Sequence, residues 1–243
     1  RNAIQLANEL DAGCFEHVCS IAAGGLYEGI FREDMFEEEE NLENPYFATK
    51  HDSEGIVRNE CEVPFRIYRP AMVVGHSQTG EIDKIDGAYY FFKSLQKLRN
   101  VLPPWFPLIG IEGGKFNVVP VDYVVDAMDH IVHQDDLEGR CFHLTDPEHH
   151  SMGNLMNIFA DAGHAPRFSM RLDTRMFGFI PRFVRETLAG LPPVKRIIST
   201  LLADMGLPES VTMFMNYPTR YDNRDTERAL KGSGIKCPEL RDY

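Results

Sequence analysis

No run of about 18 apolar residues occurs in this 243-residue sequence, so no stretch of it is long and apolar enough to span a membrane as a helix. No signal-peptide pattern is visible, and a cytoplasmic location is the expectation. The five cysteines (Cys14, Cys19, Cys61, Cys141 and Cys237) are odd in number, scattered and without a C-x-x-C pair. That pattern argues against a disulfide framework or a zinc site and fits free thiols in a reducing compartment. His149, His150 and His164 lack ligand partners at metal-binding spacing, so no metal is expected and loop positions are. Basic charge is scarce as well: 25 Lys and Arg face 37 Asp and Glu, a net charge of −12. Nucleic acid is therefore not an expected partner, because phosphate binding needs a basic footprint.

What is present is an ordinary globular composition, 43% hydrophobic and 26% charged, long enough for a sizeable core. Charge is uneven. Between Pro166 and Met205, seven Lys and Arg oppose three acids, a local +4 that leaves −16 on the remainder. A solvated helical face is the plain reading of that excess. A phosphate-bearing substrate or a peripheral contact with an anionic membrane is the sharper one. The opening RNAIQLANEL reads at once as the middle of an amphipathic helix without a cap, which predicts further residues upstream.

The pattern then alternates. A helix is predicted over residues 1–12, ended by Gly13, and FEHVCS (15–20) forms a short strand. The acidic run Glu37–Glu40 sits in a loop as a solvated surface. Asn44 caps a helix with Pro45 at its first position, running to about Glu60. PFRIYR (64–69) is the next strand. Short links between strands and helices signal a parallel sheet with crossover helices. Further on, a helix is expected near 87–99, a Pro/aromatic segment VLPPWFPLIG, a strand over 116–120, a helix over 121–133 and a buried strand CFHLT (141–145). Trp105 and Phe106 fit a core better than a site. Short helices dominate after Ser151, and the apolar, Arg-dotted segment from Met176 to Met205 reads first as helix packing. An acyl tunnel or a membrane contact is its alternative.

NPYFATK (44–50) holds the first chemistry. Tyr46 and Lys50 stand at i and i+4, on one face of one helix, with the tyrosine in the first turn. A phenol is a weak acid–base catalyst at neutral pH, and a neighbouring ammonium or a helix N-terminus favours its phenolate. Chance alone yields about 0.3 Tyr-x-x-x-Lys matches in a chain of this composition. A second match, Tyr89 with Lys93, follows a polar loop and reads as a core aromatic beside a solvated lysine. The first is set apart by Ser20, at a strand end 26 residues upstream, where parallel sheets present ligand-binding residues. Ser, Tyr and Lys so placed suit carbonyl reduction.

Strand–Ser, Tyr-x-x-x-Lys and a strand ending in Arg-Pro resemble the extended short-chain dehydrogenase/reductases. HVCSIAAGGLYEG, NPYFATKHDSE, FRIYRPAMVVG and FNVVPVDYVVDAM look like the acyl-reductase branch of that superfamily, most of all the N-terminal reductase domain of bacterial alcohol-forming fatty acyl-CoA reductases. IFREDMFEEEE, LPPVKRI and NYPTRYDNRDTERALKGSGI are similar too, so the resemblance covers essentially the whole chain. It implies Tyr46 as proton donor, Lys50 as the cation that assists it and hydrogen-bonds the nicotinamide ribose, and Ser20 as the group that polarises the carbonyl. The backbone of Pro70, Ala71, Met72 and Val73 would border the nicotinamide. Cys19 stands where many relatives carry a second Ser, and Ala71 where Gly is common.

The resemblance also implies a Gly-rich turn cradling the cofactor pyrophosphate, which this sequence does not contain. Gly113-Gly114 reads as a turn, and Gly232-Ser233-Gly234 as a C-terminal loop. The expected fold is therefore α/β: the C-terminal part of a doubly wound parallel-sheet (Rossmann) domain, from residues 1–75 and 116–145. A smaller, mostly helical substrate-binding subdomain takes residues 76–115 and 146–243. The expected activity is reduction of a fatty acyl-CoA or other fatty acyl thioester, or of a fatty aldehyde, with NADPH, NADH staying open. A second reductase domain beyond Tyr243 also stays open. The alternatives are another extended short-chain dehydrogenase, acting on a sugar nucleotide or hydroxysteroid, or a non-catalytic interaction module.

Overall fold

The computed structural model describes residues 1–85, 87–172 and 217–243. The chain forms two compact units, one of Arg1–Ile82, Asn117–His149 and Pro218–Tyr243, the other of Asp83–Phe116 and His150–Tyr217. The first unit opens with α1 (Asn2–Glu9), β1 (Phe15–Val18), β2 (Ile30–Phe31), α2 (Pro45–Glu60), β3 (Phe65–Pro70) and β4 (Met72–Val74). The second contributes α3 (Tyr90–Val101), β5 (Leu108–Ile111) and β6 (Lys115–Phe116) before the chain returns for β7 (Val118–Pro120), α4 (Val121–Val132) and β8 (Cys141–Leu144). It crosses again for β9 (His150–Ser151), α5 (Met152–Ala162) and β10 (Phe168–Leu172), and ends in the first unit with β11 (Arg220–Tyr221) and α6 (Arg224–Ala229).

In the first unit β1, β3 and β8 form a parallel sheet in the order β1–β3–β8, with Val18 opposite Tyr68 and Pro70 opposite Leu144. β4 and β7 pair parallel beside it, Met72 against Val118. β3, β7 and β8 are the buried strands, as parallel strands covered by helices are, whereas β1 is half-exposed and ends in the exposed Val18. α4 turns Val124, Ala127 and Ile131 onto a cluster that holds Tyr68, Ala71, Val119, Phe142 and Leu144. Each buried Val, Leu, Ile or Phe side chain among them stabilises the fold by roughly 1.5–3 kcal/mol.

Ala229 and Leu230 complete that cluster, and β11 pairs with β2. This corrects the grouping drawn from the sequence. Residues 218–243 belong to the first unit rather than to the smaller subdomain, because their apolar side chains are the ones that close its core. The predicted helix over 1–12 is shorter too: Leu10 closes it and Asp11 follows at φ +48°.

The second unit packs Phe92 of α3 against Phe159 of α5, ring centroids 4.8 Å apart. It also holds a parallel pair, β5 with β10, where the sequence suggests only a Pro/aromatic segment and short helices. His150 is buried in β9 and not in a loop. Trp105 and Phe106, placed in the core by their size, are 80% and 40% exposed. The segment from Met176 to Met205 lies outside the described residues.

Candidate active site

The site is assembled where β1 and β3 end side by side. Ser20 follows β1 in an extended conformation and caps a short 3-10 turn, Ile21–Gly24, its Oγ accepting the Ala22 N–H at 3.2 Å. A hydroxyl has one proton and two lone pairs, so this bond leaves the Ser20 O–H free to donate. The turn is closed by Gly25 at φ +63°, where any Cβ would run into the Glu40 carbonyl oxygen. Only glycine suits both demands.

α2 begins as its sequence dictates. The Asn44 side chain accepts the Tyr46 N–H at 2.8 Å, and Pro45 fills the position whose N–H would otherwise be unsatisfied. Tyr46 is 46% exposed. The Lys50 Nζ lies 5.9 Å from its ring centroid, so the pair shares one helix face. Thr49 Oγ1 donates back to the Tyr46 carbonyl at 3.0 Å.

Side chains fasten this helix to the Ser20 segment. Cys19 Sγ donates to the Lys50 carbonyl at 3.4 Å, and His51 Nδ1 lies 3.2 Å from the Ala23 carbonyl oxygen. Burial, with the Glu54 charge adding, pushes the Cys19 thiol up to about 12, so it is a packing group and a donor rather than a nucleophile. The Cys19 N–H bonds the Tyr68 carbonyl, which holds Ser20 level with the end of β3. Ser20, Tyr46 and Lys50 thus occupy neighbouring elements of one unit.

Pro70 to Val73 form the next edge. The Ala71 N–H bonds the Leu144 carbonyl and its methyl lies in the apolar cluster, whereas Val73 is 36% exposed. The methyl that distinguishes Ala71 from glycine is absorbed by the core.

Sequence patterns missed a buried polar chain behind these residues. Arg69, fully buried, donates to Glu54 twice, at 2.9 and 2.6 Å, and to the Met35 carbonyl at 2.9 Å. Burial alone would raise the Glu54 carboxyl, but the Arg69 hydrogen bonds and charge, with Arg58 behind them, hold it below the usual carboxylate value. His143 Nδ1–H donates to the Asp222 carbonyl at 2.7 Å, so its Nε2 accepts from Arg69 at 3.1 Å. Burial first, and then the Arg69 charge, push His143 down to about 3, and it stays neutral. Glu33 accepts from the His143 N–H and from Thr226, which ties α6 to the sheet. Only the i+4 spacing of Glu54 from Lys50 hints at this in the sequence.

A family model described as Male sterility protein, an NAD-binding family, matches residues 1–128. The chain belongs to this family. It is an NAD(P)-binding domain of the extended short-chain dehydrogenase/reductase class. The chain is 25% identical to the non-canonical nonribosomal peptide synthetase FrzA of Cladobotryum sp, over 99% of this chain and 24% of that protein. It is 24% identical to the aldehyde reductase lnbA of Aspergillus flavus, over 60% of this chain and 14% of that one. It therefore spans less than a quarter of the length of either. Its fold matches the terminal R domain from the myxalamid PKS-NRPS biosynthetic pathway with a TM-score of 0.62, at 24% identity over 94% of this chain and 55% of that one.

The side chains fit the nicotinamide end of such a cofactor: a phenol, an ammonium and the ends of β3 and β4. Among the described residues, β1 leads into a capped 3-10 turn and not into a glycine-opened helix of the kind that cradles a pyrophosphate. Among the described residues, no group of three His, Cys, Asp or Glu is placed to hold a metal ion.

Proposed function

We propose that this chain carries the catalytic side chains of a NADPH-dependent reductase that converts a fatty acyl thioester or fatty aldehyde to aldehyde or alcohol. One observation carries the reading: a strand-end serine with a free O–H lies beside a helix whose first turn presents an exposed tyrosine over a lysine. The family and the likeness to an aldehyde reductase support the reaction class.

When bound, the nicotinamide cofactor supplies the hydride. Ser20 donates its O–H to the substrate carbonyl oxygen and orients it. Tyr46 donates a second hydrogen bond to the same oxygen and gives up its proton as negative charge develops there. That step completes an alcohol from an aldehyde; from a thioester it gives a hemithioacetal, whose C–S bond then breaks to release aldehyde and thiol. Donors aimed at a developing oxyanion supply much of the acceleration in such sites. Lys50 stabilises the resulting phenolate electrostatically and offers an N–H to the ribose. Pro70, Ala71, Met72 and Val73 supply the backbone edge on which the nicotinamide would rest.

The test is turnover by the full-length protein of decanoyl-CoA and decanal with NADPH, beside a nucleotide sugar and a hydroxysteroid. Consumption of NADPH with decanal, abolished in Tyr46→Phe, is the expected result. Turnover of the nucleotide sugar or hydroxysteroid and none of decanal would overturn the reading.

A further inference from the structure

Tyr46, Lys50, Glu54 and Arg58 stand four residues apart in α2, so they form a single ridge of the helix, each about 6 Å further along the axis. The ridge runs from solvent into the core: Tyr46 is 46% exposed, and Glu54 is fully buried. Its buried end is held by three N–H groups of two arginines. Arg69 clasps both carboxylate oxygens, and Arg58 Nε donates to Oε1 at 2.9 Å. A bidentate guanidinium–carboxylate pair fixes orientation as well as distance. On the other side of the bridge, Arg69 directly precedes Pro70–Val73, the segment assigned to the nicotinamide edge, and is itself braced by Met35 and His143. One ion pair therefore joins the element that carries the proton donor to the strand that leads into the cofactor edge.

We propose that the Glu54–Arg69 pair is a positioning device for the reaction. It fixes the axial position and rotation of α2 against β3, and so sets where Tyr46 and Lys50 meet the carbonyl and the ribose. Stability alone is a poor reason for it, because apolar residues of similar volume often replace a buried ion pair without loss. Positioning is the stronger one, since a misplacement of about 1 Å can cost about 100-fold in rate. The proposal rests on the reductase reading above.

The experiment uses the full-length protein in three forms, wild type, Glu54→Gln and the double variant Glu54→Met with Arg69→Met, which removes both charges of the pair and leaves the partly exposed Arg58 without its carboxylate. Turnover of decanal per folded molecule, KM for NADPH and decanal, melting temperature and amide hydrogen exchange across residues 46–54 are measured. Both variants are expected to lose about 100-fold in kcat with KM changed much less. Exchange in α2 should quicken in both, and the double variant should recover melting temperature without recovering kcat. A double variant with wild-type kcat and wild-type exchange would overturn the proposal, as would Glu54→Gln whose only change is melting temperature. If the wild type reduces neither decanal nor decanoyl-CoA, the reductase reading fails, and exchange in α2 still decides whether the pair locks the helix.

Discussion

Cys19 Sγ donates to the carbonyl oxygen of Lys50 at 3.4 Å, joining the strand end to the helix beside both Ser20 and the lysine. A thiol next to a candidate site serine invites the idea of a redox-sensitive or nucleophilic cysteine. Its surroundings decide otherwise, because Cys19 is 4% exposed and its thiol is pushed up to about 12. We expect iodoacetamide to leave Cys19 unmodified in the native protein at pH 8 and to modify it only after denaturation, as read by peptide mass mapping. Cys19→Ser, which keeps a donor toward Lys50, should retain turnover. Inactivation that tracked alkylation of Cys19 would contradict this account.

Tyr46 and Ser20 should fail in different ways. Tyr46 is half exposed and its ring is not part of the core, so Tyr46→Phe should change stability by less than about 0.5 kcal/mol. Its turnover should drop by about 10²–10⁴, the usual contribution of a positioned proton donor. Ser20→Ala removes the donor and also the cap on the Ala22 N–H. It should lose about 10²–10³ in kcat and also about 1 kcal/mol of stability. Denaturant melts measured beside kinetics separate the two patterns. A Tyr46→Phe protein that is active and destabilised would reverse the assignment.

The start of α2 gives a third expectation. Asn44 accepts the Tyr46 N–H, so Asn44→Ala should cost about 1 kcal/mol and loosen the very turn that holds the proposed proton donor. Asn44→Asp keeps an acceptor and adds a charge that the helix N-terminus favours, so it should match or exceed the wild type in melting temperature. Turnover should follow the same order. Equal stability for the alanine and aspartate variants would show that the cap contributes nothing.

These residues also show where the sequence is readable. Asn44-Pro45 fixes the start of α2 because cap and proline are local chemistry, and the helix ends at Glu60 as its pattern predicts. Tyr46, Lys50 and Ser20 are singled out by spacing and by position just past a parallel strand, and the structure places them on neighbouring elements. Glu54 and Arg69 are not singled out, because their pairing crosses from helix to strand and looks, in sequence, like two ordinary surface charges. β5 and β10 escape for a similar reason: their partners lie about 60 residues apart, and no local period announces them. Trp105 follows Pro103-Pro104 in a turn that carries it outward, against the tendency of its size.

Acid should destabilise the fold through a buried histidine. His143 is buried and neutral, its Nδ1–H donating to the Asp222 backbone carbonyl and its Nε2 accepting from Arg69. Its value is about 3 in the fold and near 6.5 in an unfolded chain. Between those limits the unfolded state holds a proton that the folded state lacks, so stability falls as pH drops below 6.5 and is constant above it on this account. The slope from this residue is at most about 1.4 kcal/mol per pH unit. His17, also lowered chiefly by burial, adds in the same direction. Glu54 contributes only at lower pH, because a carboxyl held below its ordinary value loses its stabilisation as pH falls through the folded value. Urea melts at intervals from pH 7.5 to 5 should therefore show a steady loss beginning near 6.5. His143→Gln offers Arg69 an acceptor and Asp222 a donor without a titrating ring, and it should flatten most of that slope, whereas His17→Gln should leave the larger part. An unchanged slope in His143→Gln would mean that His143 is protonated in the fold, which is incompatible with Arg69 donating to its ring.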